Sequence, residues 1–187
     1  MSVHLKQSRS IKSKQDKYSK NNKRVTITIL HRFSLVATGG TFDCIHQGHL
    51  NLLSESFRIG QKVIIGLTSD QFVKKYKVNI DIKHDYSRRL ENLNKAISIN
   101  FPNRNYEIVR LDDEFGPILT SNDIEAIVVS EDTFEKIAEV NKIRCIKNFK
   151  PLKISVIRMV NSSDGKPLSS TRIRKGEIDE YGNILYD

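Results

Sequence analysis

The sequence predicts an α/β chain built on a doubly wound parallel sheet of about five strands. Three observations predict it. Short apolar runs of strand composition recur along the chain. Runs with helical apolar spacing separate most of them, the pattern of parallel strands joined by crossovers. A glycine pair, Gly39-Gly40, follows the first of these strands and leads into a helix start, as a phosphate-binding turn does.

Taken in order, residues 35–38 read as a short buried strand that turns on Gly39 and Gly40. A helix follows over about 47–58, with Leu50, Leu53 and Phe57 behind His49 as its core-facing stripe. KVIIGL at 62–67 is the second buried strand, and Thr68-Ser69-Asp70 its exit loop. A basic segment with Lys74, Lys75 and Lys77 comes next. Residues 85–99 form a helix on the stripe Leu90, Leu93 and Ile97. Strands follow at 106–111 and 126–129. Asp132 is placed to cap a helix reaching about Ile146, with Phe134, Ile137 and Ala138 inward. The fifth strand is 154–160, and a short helix begins at Ser169. In sheets of this kind ligands sit at the carboxyl ends of the strands, where strand order reverses. The Gly39-Gly40 turn, the 68–70 loop and Ser130 all fall on that edge.

Composition narrows the function classes. No run approaches the roughly 18 apolar residues of a membrane span. Cys44 and Cys145 form no CxxC pair and no disulfide framework, which suits a reducing, cytoplasmic location. The net charge is +9. Residues 1–32 hold nine Lys or Arg and one acidic residue, whereas 33–187 hold 22 basic and 21 acidic residues. The basic signal therefore belongs to an N-terminal extension, and the domain at 33–187 is nearly neutral. Residues 1–24 have no apolar periodicity and read as a disordered tail, while VTITIL at 25–30 has strand composition. A nucleic-acid partner is expected only through that tail, where binding would fall steeply with salt.

Two stretches carry chemistry. GGTFDCIHQGH at 39–49 joins a glycine turn to a helix start, with His46 and His49 three apart on one helix face. Free N–H groups at 39–42 and at the helix start suit an anion. PLSSTRIRKG at 167–176 adds the hydroxyls of Ser169, Ser170 and Thr171 and the cations Arg172 and Arg174. Two histidines without a third ligand nearby make a poor metal site, and the glycines favour phosphate.

These stretches resemble the GTFD, HxGH and ISSTxIR signatures of the HxGH nucleotidylyltransferase superfamily, with Leu168 in place of the usual Ile. DDEFGPI at 112–118, AIVVSEDTFEKIAEVNKIR at 126–144 and DGKPLSSTRIRKGEIDEYGNIL at 164–185 are similar to segments of the archaeal phosphopantetheine adenylyltransferases. The resemblance covers roughly 34–187 and extends to the corresponding domain of eukaryotic CoA synthase. Glu131 departs from it, standing where the archaeal pattern usually has Pro. No GxxxxGK[ST] sequence marks a fused kinase half. The resemblance implies a Rossmann-like fold of nucleotidylyltransferase type, with ATP and 4′-phosphopantetheine as substrates and dephospho-CoA and pyrophosphate as products. It implies His49 and His46 as catalytic residues. Gly39, Gly40, Thr41, Phe42, Gly48, Ser130, Ser169, Ser170, Thr171 and Arg172 would bind ATP. Thr41, Lys74 and Arg88 would bind the acceptor. Mg²⁺ is expected with ATP, held mainly by the triphosphate, and no protein metal ligand is assigned. The competing readings are another HxGH transferase (a cytidylyltransferase, an FAD synthetase or a nicotinamide-mononucleotide adenylyltransferase) and a nucleic-acid-binding protein.

Overall fold

The computed structural model describes residues 31–76 and 82–185. The tail, the 25–30 strand and Lys77 lie outside the described residues. Five strands form one parallel sheet: β1 Phe33–Gly40, β2 Gly60–Thr68, β3 Tyr106–Leu111, β4 Ala126–Ser130 and β5 Lys153–Ile157. Their spatial order is β3-β2-β1-β4-β5. The chain winds outward from β1 to β3, then crosses back to β4, so strand order reverses between β1 and β4. This is the Rossmann-like, doubly wound α/β sheet that the sequence predicts.

Alternation along the strands builds a core on each face. Val36, Val63, Ile65 and Val128 pack with Leu53 and Phe57 of α1 (Gln47–Ile59) and with Leu93 and Ile97 of α3 (Tyr86–Asn100). Ala37, Ile127 and Val129 pack on the other face with Ile137 and Val140 of α4 (Phe134–Ile146) and Ile118 of a 3₁₀ turn, Gly116–Leu119. Arg144 of α4 is fully buried and donates to the carbonyls of Ile118, Ser121, Ile124 and Lys150. It satisfies acceptors that this loop would otherwise bury unpaired.

Five local readings change. Gly39 and Gly40 do not turn; they are the last residues of β1, paired with Gly66 and Leu67. Gly39 is needed for close strand approach, since a Cβ there would stand 3.1 Å from the Gly66 carbonyl oxygen. The 68–70 loop and basic segment are mostly a helix, α2 (Asp70–Tyr76), anchored by buried Phe72 and Val73. Two turns are too short for a readable period. Asp132 does not cap α4: it lies in a 3₁₀ turn, and its carboxylate accepts from Ser130 Oγ. Phe134, the first residue of α4, is 42% exposed, whereas Ile137 is buried; the Ala138 side chain lies outside the described residues. β5 ends at Ile157 rather than reaching residue 160.

Candidate active site

The first functional element is the N-terminus of α1. His46 is its N-cap: its backbone is extended, and its Nδ1 accepts a hydrogen bond from the Gly48 N–H at 3.1 Å. An Nδ1 that accepts carries no proton, so the neutral ring presents its N–H at Nε2. Burial pushes the His46 pKa down to about 4. His46 therefore offers a neutral donor at physiological pH. The His49 ring stacks on it, centroids 4.0 Å apart and planes 30° apart.

The segment before α1 holds that pair in place. Phe42 is fully buried and has φ +49°, a left-handed conformation that costs a bulky residue about 1–3 kcal/mol. Its ring lies 4.9 Å from His49. Asp43, 1% exposed, accepts from the backbone N–H groups of Lys83 and His84 and from Arg174 Nη1. Burial alone would raise its pKa, but these donors and the Arg174 charge hold the carboxyl below the usual carboxylate range. Arg89 of α3, fully buried, donates to the Thr41 and His84 carbonyls at 2.8 and 3.1 Å and pairs with Asp70 at 2.6 Å.

The second element is α5 (Ser170–Arg174). Ser169 is its N-cap and accepts from the Arg172 N–H. Ser170 Oγ donates to the Cys44 carbonyl, which ties α5 to the 41–46 segment. Arg174 Nη2 donates to Thr171 Oγ1 at 3.0 Å while Nη1 holds Asp43 at 2.9 Å.

Between the two elements lies a cavity of about 260 Å³ at the carboxyl ends of β1, β4 and β5. Thr41, Phe42, His46, Gly48 and His49 line one side. Ser169, Ser170, Thr171 and Arg174 line another; Ser130, Asp132 and Arg158 add polar groups, and Leu52, Ile157, Met159, Val160 and Leu168 supply the apolar part of the wall. A second cavity, about 710 Å³, opens against Thr38, Gly39, Gly40 and Gly66. Its walls are largely apolar, with Leu111, Phe115, Ile118 and Ile137, and Lys136 and Glu114 stand among its polar residues. The consecutive residues Gly40 and Thr41 line different cavities.

Comparison with known proteins places this geometry. The cytidylyltransferase-like family matches residues 37–176. The phosphopantetheine adenylyltransferase of Methanothermobacter thermautotrophicus is 46% identical, over 82% of this chain and 91% of that protein. The enzymes of the same name from Methanosarcina acetivorans and Pyrococcus horikoshii are 42% and 40% identical, covering 80% and 83% of this chain and 94% and 98% of their own. This chain belongs to the phosphopantetheine adenylyltransferase family. Among solved structures, an Archaeoglobus fulgidus protein of unknown function superposes with a TM-score of 0.59 at 28% identity, over 65% of this chain and 87% of that one. Pantothenate synthetase of Thermus thermophilus shares the fold alone, with a TM-score of 0.50, 17% identity and coverage of 77% and 62%.

In this adenylyltransferase-family chain, nine residues expected from sequence meet at the first cavity: Thr41, Phe42, His46, Gly48, His49, Ser130, Ser169, Ser170 and Thr171. Gly39 and Gly40 face the second cavity instead. Three residues line neither cavity. Arg172 pairs with Asp164 and Glu177 and donates to Ser162 Oγ, which fastens the C-terminal segment to α5. Arg88 is exposed and pairs with Glu91 at 2.6 Å. Lys74 is exposed on α2. Arg174 lines the first cavity where Arg172 was expected, and Arg89 rather than Arg88 turns inward, where it braces the Thr41 and His84 backbone instead of facing a cavity. The signal for both was present. Thr171 and Arg174 are i, i+3 partners on one helix face. Arg89, Leu93 and Ile97 form a single i, i+4 stripe, so residue 89 rather than 88 turns inward. Asp43, Cys44 and His84 bring ligand atoms within 4.8 Å of one another. The Asp43 oxygens are already taken by two backbone donors and Arg174, so this group holds loops together.

Proposed function

We infer that this protein transfers the adenylyl group of ATP to 4′-phosphopantetheine, giving dephospho-CoA and pyrophosphate in coenzyme A biosynthesis. One observation carries the assignment of the two cavities: they are lined by adjacent residues at the end of β1, in a chain of this family. A cavity whose wall carries two histidines, several hydroxyls and two arginines suits a triphosphate. A larger, mostly apolar one suits the pantetheine arm. The two substrates then meet at the peptide joining Gly40 to Thr41.

The nucleophile is a phosphate monoester, largely ionised at neutral pH because its second pKa is about 6. No general base is required. The enzyme aligns two anions and stabilises the charge that develops on the α-phosphate and the leaving pyrophosphate. His49, stacked on His46, is placed to donate to the α-phosphate. His46 donates from Nε2 without adding charge. Ser170, Thr171 and Arg174 hold the β- and γ-phosphates, the role first expected of Arg172. Mg²⁺ enters as part of the nucleotide substrate. The first cavity's two carboxylates, Asp43 and Asp132, are both engaged by protein donors, so the wall has no ready set of oxygen ligands for that ion.

Among the described residues no helix is long and apolar enough to cross a membrane. We place the enzyme in the cytoplasm on its cysteine pattern. Incubation with ATP or CTP and a panel of phosphorylated acceptors, with products identified by mass, tests the function. Dephospho-CoA from ATP is the expected product. Exclusive use of CTP, or of another acceptor, overturns it.

A further inference from the structure

The charge around the first cavity does not match its expected cargo. Arg158 and Arg174 line it, but so do the carboxylates Asp43 and Asp132. His46 adds no charge, since its burial keeps it neutral. Apart from His49, the ionisable side chains of the wall are therefore balanced, while a departing pyrophosphate carries several negative charges. The Mg²⁺ that arrives with the nucleotide offsets part of that charge, and a cation from beyond the wall would oppose the rest.

The structure brings one up. The Lys83 backbone N–H donates to Asp43 Oδ2 at 3.0 Å, and Arg174 Nη1 donates to the same oxygen at 2.9 Å. One buried atom therefore fixes both the cavity arginine and the main chain of Lys83. The next residue doubles the hold: the His84 N–H donates to Asp43 Oδ1, and His84 Nδ1 lies 3.0 Å from the Asp43 carbonyl. Asp85, one residue on, caps α3, so residues 83–85 are held both by Asp43 and by the helix start. The Lys83 side chain is exposed and has no ion pair among the described residues. Its ammonium and the Arg174 guanidinium both pull down the Cys44 pKa, which burial and Asp43 raise. Both charges thus act on the Cys44 thiol, which follows the cavity residue Asp43 in the chain.

We propose that Lys83 is a catalytic cation for the leaving group, its ammonium meeting the β- and γ-phosphate oxygens already held by Arg174. In the step it serves, an acceptor phosphate oxygen bonds to the α-phosphorus and the bond from that phosphorus to the bridging β-oxygen breaks. Pyrophosphate leaves with the electron pair, and Lys83 opposes the charge it gains. A flexible lysine suits this better than a second fixed arginine, because the pyrophosphate must move away. The assignment rests on the adenylyl-transfer reading above.

The test uses the full chain with K83A and K83R, assayed forward and in reverse from dephospho-CoA and pyrophosphate. K83A is expected to lower kcat by about 10–100-fold and to raise the KM for pyrophosphate about tenfold, the scale of one hydrogen bond to a charged group. The KM for phosphopantetheine and the melting temperature should stay put, and K83R should recover most of the loss. Unchanged kinetics in K83A, or a rise confined to the phosphopantetheine KM, overturns the proposal. Calorimetric titration of pyrophosphate into wild type and K83A reads Lys83 without turnover. Weaker binding by K83A supports the assignment even if the acceptor proves to be another molecule, and equal binding overturns it.

Discussion

The His46 ring and the Gly48 backbone fit each other without slack. Nδ1 accepts the Gly48 N–H at 3.1 Å, and a Cβ at position 48 would stand 2.9 Å from His46 Cε1 and 3.0 Å from Nδ1. The glycine of the HxGH element thus serves the histidine before it: without a side chain at 48, the ring can fold down onto the helix start.

Gly48→Ala should therefore act through His46. Overpacking of this kind typically costs about 1–3 kcal/mol. The ring must swing away to relieve it, taking the Nε2 donor and the His49 stack along. We expect a lower melting temperature and a fall in kcat of about 10²-fold, near that of losing one preorganised donor. A Gly48→Ala enzyme with full kcat would show that the ring position is not used.

The depressed His46 pKa fixes the sign of a pH effect on stability. In the unfolded chain this histidine titrates near 6.5, and in the folded protein at about 4. Between those values the unfolded state binds the extra proton, so stability falls as pH drops from about 6.5 to about 4. The full loss is on the order of 3 kcal/mol. Urea unfolding at pH 7.5 and pH 5 should show it, and His46→Gln should flatten the difference. A wild-type protein equally stable at both pH values would contradict the buried neutral ring.

The two arginines of α5 should separate cleanly. Arg174→Ala removes a cavity cation and leaves buried Asp43 without its ion-pair partner. It should raise the KM for ATP and lower kcat, by about 10–100-fold in kcat/KM. Arg172→Ala should instead lower the melting temperature, since Arg172 ties Asp164 and Glu177 to α5. Its KM for ATP should change little. The reverse pattern would return the triphosphate to Arg172.

A parallel contrast holds on α3. Arg89→Ala empties a fully buried site and strands two carbonyls and a carboxylate, a loss of about 2–4 kcal/mol. Arg88→Ala removes an exposed pair worth less than about 1 kcal/mol. Denaturant midpoints of the two variants check this directly.

The parts of the fold legible in the sequence were those with a repeating signal. β2 and β4 are continuous apolar runs, and α1 and α3 carry stripes long enough to count. α2 was hidden because two turns hold only Phe72 and Val73 as anchors. In the site, GGTFDCIHQGH and PLSSTRIR announced most of the first cavity. What stayed hidden was direction. Neighbours on a helix point about 100° apart, so a one- or two-residue choice decides between cavity and surface. Arg172 and Arg88 line neither cavity, and their neighbours Arg174 and Arg89 turn inward instead. The second cavity was illegible for another reason: Gly66, Leu111 and Ile137 come from three separate elements, and only the folded sheet brings them together.

Gly40 and Thr41 are consecutive, yet the two chambers share no wall residue. With the larger chamber as the proposed acceptor site, substitutions at 111–118 or 136–137 reshape it and replace no residue that lines the first cavity. A lineage could thus trade one phosphorylated acceptor for another while its nucleotide chemistry stayed intact. The strand end acts as a fixed socket, with an exchangeable fitting on the far side.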